Sequence, residues 1–443
     1  MEDADEATRR RALEGRGHGD EGRWACATRS LRPDPPNPTT ALHMTITVLG
    51  AGSIGAPVVR ELCARSGEVE QVQVCDTRSQ ALERLHEQVD ADQFLRSFQV
   101  DVRDTSVLSQ IVQGSDCVIS CVPAEFNPAL AELCLDAGVH FCDLGGDDTL
   151  VDKELALDEQ AREKGVWIVP NCGLAPGLVN VVCLHGIDQL DRAEAAHLRV
   201  GDVPLHPEPP FNFRISWSAE RILADYTNPA RLIENGQVVE ADALSREEEI
   251  QFEKPFGTME AFCTQGGLST LTDTLAGHVE ALDHKTIRWP GHAHQMRFVL
   301  GLGLAEERKI GVRTHLTYRD LLVRRMRKRL GGDYEDAVLM RVLLRGEQEG
   351  RPTTLVYEMV EQYDAETEQT AVMRCTAIPT VVSALFLARE EAVSTGGADV
   401  PENVIPRAQF LQKIADRGLN IQTERHDDFR DVTAKRPLDG QRA

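Results

Sequence analysis

Aromatic residues make up only 5% of this 443-residue chain, and lysines number eight among its 48 basic residues. No apolar run reaches the roughly 20 residues that a membrane span needs, and no apolar secretory core opens the chain. A cytoplasmic protein with no membrane partner is expected. Cysteine pairs of the CxxC kind are missing. The eleven cysteines are an odd number, and Cys75, Cys117, Cys121 and Cys142 sit in or beside apolar strand patterns, where small buried thiols of a reducing compartment belong. Neither disulfides nor a metal site is expected. Positive charge is scarce as well: the net charge of −23 repels nucleic acid and anionic surfaces, which argues against both as partners. Adaptation to high salt and a genome that favours arginine over lysine both account for it. There are no internal repeats.

What is present suits a globular protein. With 42% hydrophobic and 27% charged residues, the chain can bury the cores of two or three domains. The first sharp signal is the stretch Thr45 to Gly55, in which an apolar run (Ile46, Val48, Leu49) enters Gly50-x-Gly52-x-x-Gly55 and a helical pattern (Ile54, Val58, Val59, Leu62) leaves it. Strand, tight turn and helix in that order place free N–H groups and a helix dipole against a pyrophosphate. A second strand, Val72 to Cys75, ends at Asp76, 26 residues beyond Gly50 against about 20 in the usual fingerprint. An acid there accepts from ribose hydroxyls and repels a 2′-phosphate, so NAD is expected; Arg78 leaves NADP open.

Residues 1–43 carry Pro33, Pro35, Pro36 and Pro38 and no apolar periodicity, which reads as a disordered extension. Met44 stands directly before the first strand, so translation from Met44 is one reading of this segment. From there strands and helices alternate to Asn171, the pattern of a doubly wound parallel sheet over residues 44–171. Residues 172–378 are expected to form an α+β domain with a mixed, mostly antiparallel sheet. Its strands are placed near His197 to Val200, Asn212 to Trp217, Arg297 to Leu302, Ala337 to Arg345 and Thr354 to Gln362, with a hairpin loop at Gly346 to Pro352. Helices at Pro379 to Glu391 and Ala408 to Arg417 return to the nucleotide domain within residues 379–424, and 425–443 form a polar tail.

Ligands of open α/β sheets bind beyond the carboxyl ends of the strands. Those ends bring forward Asp143, as a pocket residue, a proton-transfer group or merely a turn former. The start of the next helix at Gly177 can hold a carboxylate on free N–H groups or serve as an interdomain elbow. Lys285 to His292 gathers three basic side chains around Pro290-Gly291. There Arg288 can grip a carboxylate and Lys285 or His292 can move protons.

The series Gly50 to Gly55, Asp143-Leu-Gly-Gly, Pro170 to Gly177, Val200 to Pro204, Ile215-Ser-Trp-Ser218, Tyr226 to Ala230, Leu268-Ser-Thr270 and Lys285 to His292 resembles the saccharopine dehydrogenase family. Within it the chain looks most like L-lysine 6-dehydrogenases. The resemblance implies a Rossmann domain, a substrate domain and a homodimer. It also implies oxidation of the lysine side-chain amine by NAD, giving a semialdehyde that closes to a cyclic imine. Cofactor contacts carried over by motif are Gly50, Gly52, Ser53, Ile54, Gly55, Asp76, Asp101, Val102, Cys121 and Pro123. Asp202 departs from the family, whose members often have a second glycine there. Related members act on saccharopine or carboxynorspermidine, and a non-catalytic NAD-binding regulator is the reading from another class.

Overall fold

The computed structural model describes residues 44–65, 67–89 and 94–431, so the extension at 1–43 and the end of the polar tail lie outside the described residues. The first half runs β1 (Thr45–Leu49), α1 (Gly55–Ala64), β2 (Gln71–Asp76), α2 (Ser79–Gln88), β3 (Leu95–Gln99), α3 (Thr105–Val112) and β4 (Cys117–Ser120). It continues with α4 (Asn127–Ala137), β5 (His140–Asp143), α5 (Asp148–Leu155), α6 (Asp158–Lys164) and β6 (Trp167–Val169). The strands are parallel, in the order β6-β5-β4-β1-β2-β3. β1 and β4 are buried almost throughout, as strands covered by helices on both faces must be.

The second half contains α7 (Leu178–Ile187), β7 (Arg192–Pro204), α8 (Ala219–Asp225), β8 (Ala230–Glu234), β9 (Gln237–Ala241), β10 (Glu248–Gln251) and β11 (Thr258–Cys263). Then come α9 (Leu271–Leu275), β12 (Ala281–Arg288), α10 (His292–Gly301), α11 (Tyr318–Leu330), β13 (Asp336–Gln348) and β14 (Arg351–Gln362). The chain closes with α12 (Ala371–Ala388), β15 (Gly397–Ala398), α13 (Pro401–Val404), α14 (Arg407–Ala415) and β16 (Gln422–His426). The second sheet follows the order β10-β11-β12-β7-β13-β14-β16, with β8 and β9 attached beside β12. Only β12 and β7 pair in parallel, so the sheet is mixed and mostly antiparallel.

Several expectations need correction. The segment placed as a strand at 297–302 is helix α10, because Glu260 caps it by accepting from Gly291 N and Ala293 N at 2.7 Å each. Residues 212–217 form no strand. The expected helix at 379–391 begins at Ala371 and runs through Pro379. The hydroxyls of Thr380 and Ser383 donate to the carbonyls of Thr376 and Pro379 on that helix. α12 is long and apolar enough to cross a membrane by composition, but 78% of it is buried inside the protein, between α1, β4 and β5 on one side and β13 on the other. The tail is partly ordered structure: β16 pairs with β14, and Arg430 N donates to Thr354 Oγ1.

Strand alternation sorts the second sheet into two faces. Ala196, Leu198, Val200, Leu282, Val338 and Met340 pack with α7 and α12, toward the first sheet. Val203, Ile287, Ala337 and Leu339 pack on the other face with Ile250, Phe252 and Met259. Asp202, His284 and Arg288 belong by register to the first face, and His197, Arg199, Asp283 and Lys285 to the second.

Candidate functional site

The glycine turn has the geometry that a dinucleotide requires. Gly50 has φ +98°, and a Cβ on it would stand 2.9 Å from the carbonyl oxygen of Cys121. A Cβ on Gly55 would stand 1.9 Å from the Gly50 carbonyl, so the helix can meet the strand only through glycine. Above Gly52 the space is open, with Arg78 Nη2 the nearest atom at 3.9 Å from a virtual Cβ. Ser53 and Ile54 complete this turn. Asp76 ends β2, Asp101 and Val102 follow β3, and Cys121 and Pro123 follow β4, all along the carboxyl edge of the sheet. These residues fit a dinucleotide laid across that edge. Asp76 is less free than the sequence suggests: its Oδ1 accepts from Arg78 N (2.8 Å) and Nε (3.0 Å), and its Oδ2 accepts from Ala51 N (2.8 Å) and Arg78 Nη2 (3.1 Å). Burial works against ionisation, yet these bonds hold the carboxyl below its ordinary range.

Asp143, at the end of β5, has no exposed surface. Its Oδ1 accepts from Gly145 N at 2.6 Å and Asn171 N at 3.2 Å, which ties together the two loops leaving β5 and β6. It is therefore placed as a clamp and not at an open surface. Behind it stands Glu154 of α5, 1% exposed, which the sequence reading missed. The two carboxyls hydrogen-bond each other, and both are raised, first by burial; Glu154 is raised further by the Asp143 charge. Asp143 Oδ2 and Glu154 Oε2 have no donor among the described residues, so one shared proton resolves the pair. Asn171 carries the clamp into the second domain: its Nδ2 donates to Ser269 Oγ, which donates to Asp148 Oδ1.

The expected anion site at Gly177 is already used. Leu178 N, Val179 N and Asn180 N donate to the carbonyls of Gly173, Leu174 and Gly177. With φ +130° and a virtual Cβ 2.2 Å from Gly173 O, Gly177 makes the elbow between the domains.

Lys285 and His292 are not brought together either. Lys285 lies on the far face of the sheet, where its Nζ donates to Glu248 Oε2 at 2.5 Å in a network with Arg199, Asp283 and His197. His292 is fully buried. Its Nδ1 lies 3.0 Å from the carbonyl oxygen of Phe211, so it carries the proton and donates there; Nε2 is then the acceptor for the Tyr226 hydroxyl, also at 3.0 Å. Burial, and then the Arg288 charge, push this imidazole down to about 3, so it is neutral.

Arg288 is the centre of this cluster. Its Nε donates to Tyr226 Oη at 3.2 Å, and its Nη1 donates to the carbonyls of Asp202 and Ile287 and stands 3.1 Å from Asp202 Oδ1. The guanidinium lies over Phe213 at 4.7 Å. Nη2 has no hydrogen-bond partner among the described residues, so one end of the guanidinium remains available. The departure at Asp202 thus supplies a counter-ion, held by Ser216 Oγ at 2.6 Å.

A further acid was missed because no motif marks it. Asp225, at the end of α8 and next to Tyr226, lies 3.2 Å from Arg221 Nε. Arg221 in turn stands 3.9 Å from Asp147 in the loop after β5, so this corner joins the second domain to the strand ends of the first. Burial raises Asp225 to about 7, opposed by Arg221 and Arg288 and assisted by Asp148. A carboxyl that titrates near neutrality between two domains has the properties of a proton-transfer group.

The model of the saccharopine dehydrogenase NADP binding domain matches residues 46–169, and that of the saccharopine dehydrogenase C-terminal domain matches residues 173–419. Alpha-aminoadipic semialdehyde synthase of Rattus norvegicus is 27% identical over 201 residues, 44% of this chain but only 21% of that protein. Saccharopine dehydrogenase (NADP(+), L-glutamate-forming) of Saccharomyces cerevisiae is 21% identical over 275 residues, 59% of this chain and 58% of that protein. The match thus spans less than two thirds of these relatives. Among solved structures, apo saccharopine dehydrogenase (L-Glu forming) from Saccharomyces cerevisiae superposes with a TM-score of 0.71 at 14% identity, covering 86% of this chain and 100% of that one. A homospermidine synthase from Legionella pneumophila in complex with NAD gives 0.60 at 14% identity, covering 87% of this chain and 92% of that one. Both share the fold. The first half is an NAD(P)-binding domain, and with both halves matched in order, the chain belongs to the saccharopine dehydrogenase family.

Proposed function

We propose that this protein is an oxidoreductase that removes hydride from a carbon bearing nitrogen on an amino-acid substrate, the side-chain amine of L-lysine, and passes it to NAD(P). The observation that carries the reading is Arg288, a buried guanidinium fixed on every side but one, beside an acid at the junction of the two domains. A guanidinium with a free Nη2 suits the carboxylate of an amino acid. The amine arrives protonated, with a reference pKa of about 10.4, and only its neutral form can release hydride from the neighbouring carbon. Asp225 takes that proton. A nicotinamide nucleotide held at the Gly50–Gly55 turn would accept the hydride; the substrate's C–N bond would become an iminium, water would replace ammonia to give the semialdehyde, and this would close on the α-amine with loss of water. Saccharopine is the second reading, favoured by the names of the relatives. Reduced nucleotide followed at 340 nm, with o-aminobenzaldehyde trapping the cyclic imine, tests it: L-lysine is expected to react. Turnover of saccharopine alone moves the assignment to the second reading, and inertness of both with either nucleotide at every pH sinks the proposal.

A further inference from the structure

Positive charge gathers in one segment of this acidic chain. Residues 308–330 hold nine lysines and arginines against a single acid, Asp320, in a protein whose net charge is −23. Helix α11 sorts them. Val323, Met326 and Leu330 are buried toward α10 and α8, and the opposite stripe, at i, i+3, i+4 and i+7, is Leu321, Arg324, Arg325 and Lys328, all exposed. The loop ahead of α11 folds onto its first turn. Tyr318 N donates to the Arg308 carbonyl at 3.1 Å, Arg319 N to that of Glu306 at 3.0 Å, and Ile310 N to that of Leu316 at 3.0 Å. The result is a small hairpin, closed by an antiparallel bridge between Lys309 and Thr317, whose tip presents Val312 fully to solvent. Ile310 is exposed beside it, and Lys309 and Arg313 flank the two. At the base of the loop, Phe298 and Leu302 are 67% and 62% exposed.

Within the segment Arg308 and Arg327 pair with Glu306 and Glu220, but Lys309, Arg313, Arg324, Arg325 and Lys328 form no ion pair among the described residues. Unneutralised cations interleaved with exposed apolar side chains match a surface that is anionic outside and apolar beneath, which is a bilayer carrying acidic lipids. The total charge does not oppose this contact. At physiological salt the field of an exposed charge fades within about 8 Å, so a surface meeting this face senses the local cations and not the acids elsewhere. Nucleic acid would engage the same cations but leave Val312 and Ile310 in water. A folded acidic protein would need a pocket for a projecting tip, whereas a headgroup layer admits it anywhere.

We propose that the 308–317 hairpin and the exposed stripe of α11 dock this protein on an anionic lipid surface. Val312 and Ile310 enter the headgroup boundary, and Arg324, Arg325 and Lys328 lie over lipid phosphates. The identity of the amine oxidised does not enter. The test is flotation of the full chain with phosphatidylcholine vesicles and with mixed phosphatidylcholine–phosphatidylglycerol vesicles. Binding to the mixed vesicles alone is expected, and it weakens as salt is raised. Each cation near an anionic bilayer strengthens binding about fivefold, so the triple variant Arg324→Ser, Arg325→Ser, Lys328→Ser should bind about a hundredfold more weakly with an unchanged melting temperature. Val312→Asp should weaken binding by about tenfold, and Val312→Trp should tighten it, a gain that misfolding does not produce. Absence of binding to the mixed vesicles at low salt overturns the inference, as does wild-type affinity in the triple variant. Tighter binding to duplex DNA or polyglutamate than to the vesicles, unmoved by Val312→Asp, assigns the face to another polyanion and overturns the lipid reading.

Discussion

Asp202 Oδ1 stands 3.1 Å from Arg288 Nη1, in a pair of which neither member is more than 4% exposed. Removing one partner leaves the other as an uncompensated buried charge, which costs about 3–5 kcal/mol, whereas replacing both by apolar groups is often neutral. Asp202→Ala is therefore expected to lower the unfolding free energy by an amount of that order, and Asp202→Ala with Arg288→Met to recover most of it. Urea unfolding of the two single variants and the double variant checks this. Losses that simply add would show that the two residues do not couple.

Arg288 makes a second demand. A lysine ammonium cannot donate to a phenol and two carbonyls in fixed directions while keeping a further donor free. Arg288→Lys is expected to raise KM for the amino acid about 10–100-fold, with kcat within a few fold, as loss of uniform binding does. Tyr226→Phe removes one acceptor from Arg288 and one donor from His292, worth about 0.5–1.5 kcal/mol each, and should raise KM less. Steady-state kinetics with kcat unchanged in both would fit a positioning role, and a fall in kcat at constant KM would exclude it.

How far the sequence could be read follows the range of the interactions. The Rossmann order and the β13–β14 hairpin rest on local periodicity and turn chemistry, and these were legible. Helix α10 was read as a strand because Phe298, Val299, Leu300 and Leu302 make a short apolar run; in the structure Phe298 and Leu302 are exposed, and the cap comes from Glu260 on another strand. Lys285 and Arg288 looked like one basic cluster because Pro290-Gly291 suggested a turn. They lie on a strand, three residues apart, and so face opposite ways. Asp76 was visible at the right strand end, but not the guanidinium that folds back on it. Asp225 and Glu154 left no signal, since their environments are assembled by burial and by the domain junction.

Asp225 gives the proposed reaction its pH dependence. The base works only when ionised, and its raised value of about 7 places the change within the neutral range. For the wild type, kcat/KM is expected to climb through pH 7. Asp225→Asn should lose that limb and fall about 10²–10⁴-fold, the usual contribution of a general base. A variant with an unchanged pH profile would remove Asp225 from the mechanism.

The Asp143–Glu154 pair makes a prediction about stability alone. In the unfolded chain Glu154 ionises near its ordinary value of 4.5, while in the folded protein burial first, and the Asp143 charge second, keep it protonated far higher. Between those two values unfolding releases a proton, so this group stabilises the fold fully below pH 4.5 and progressively less as the pH rises. Glu154→Gln keeps the shape and offers an N–H to Asp143 Oδ2, but it cannot ionise. Well below pH 4.5 the variant should differ from the wild type only by a constant packing term. Toward pH 9 its relative stability should increase, at a slope of up to about 1.36 kcal/mol per pH unit. Urea midpoints at pH 5, 7 and 9 measure this difference directly, and a difference that stays flat across that range would mean that the two carboxyls do not share a proton.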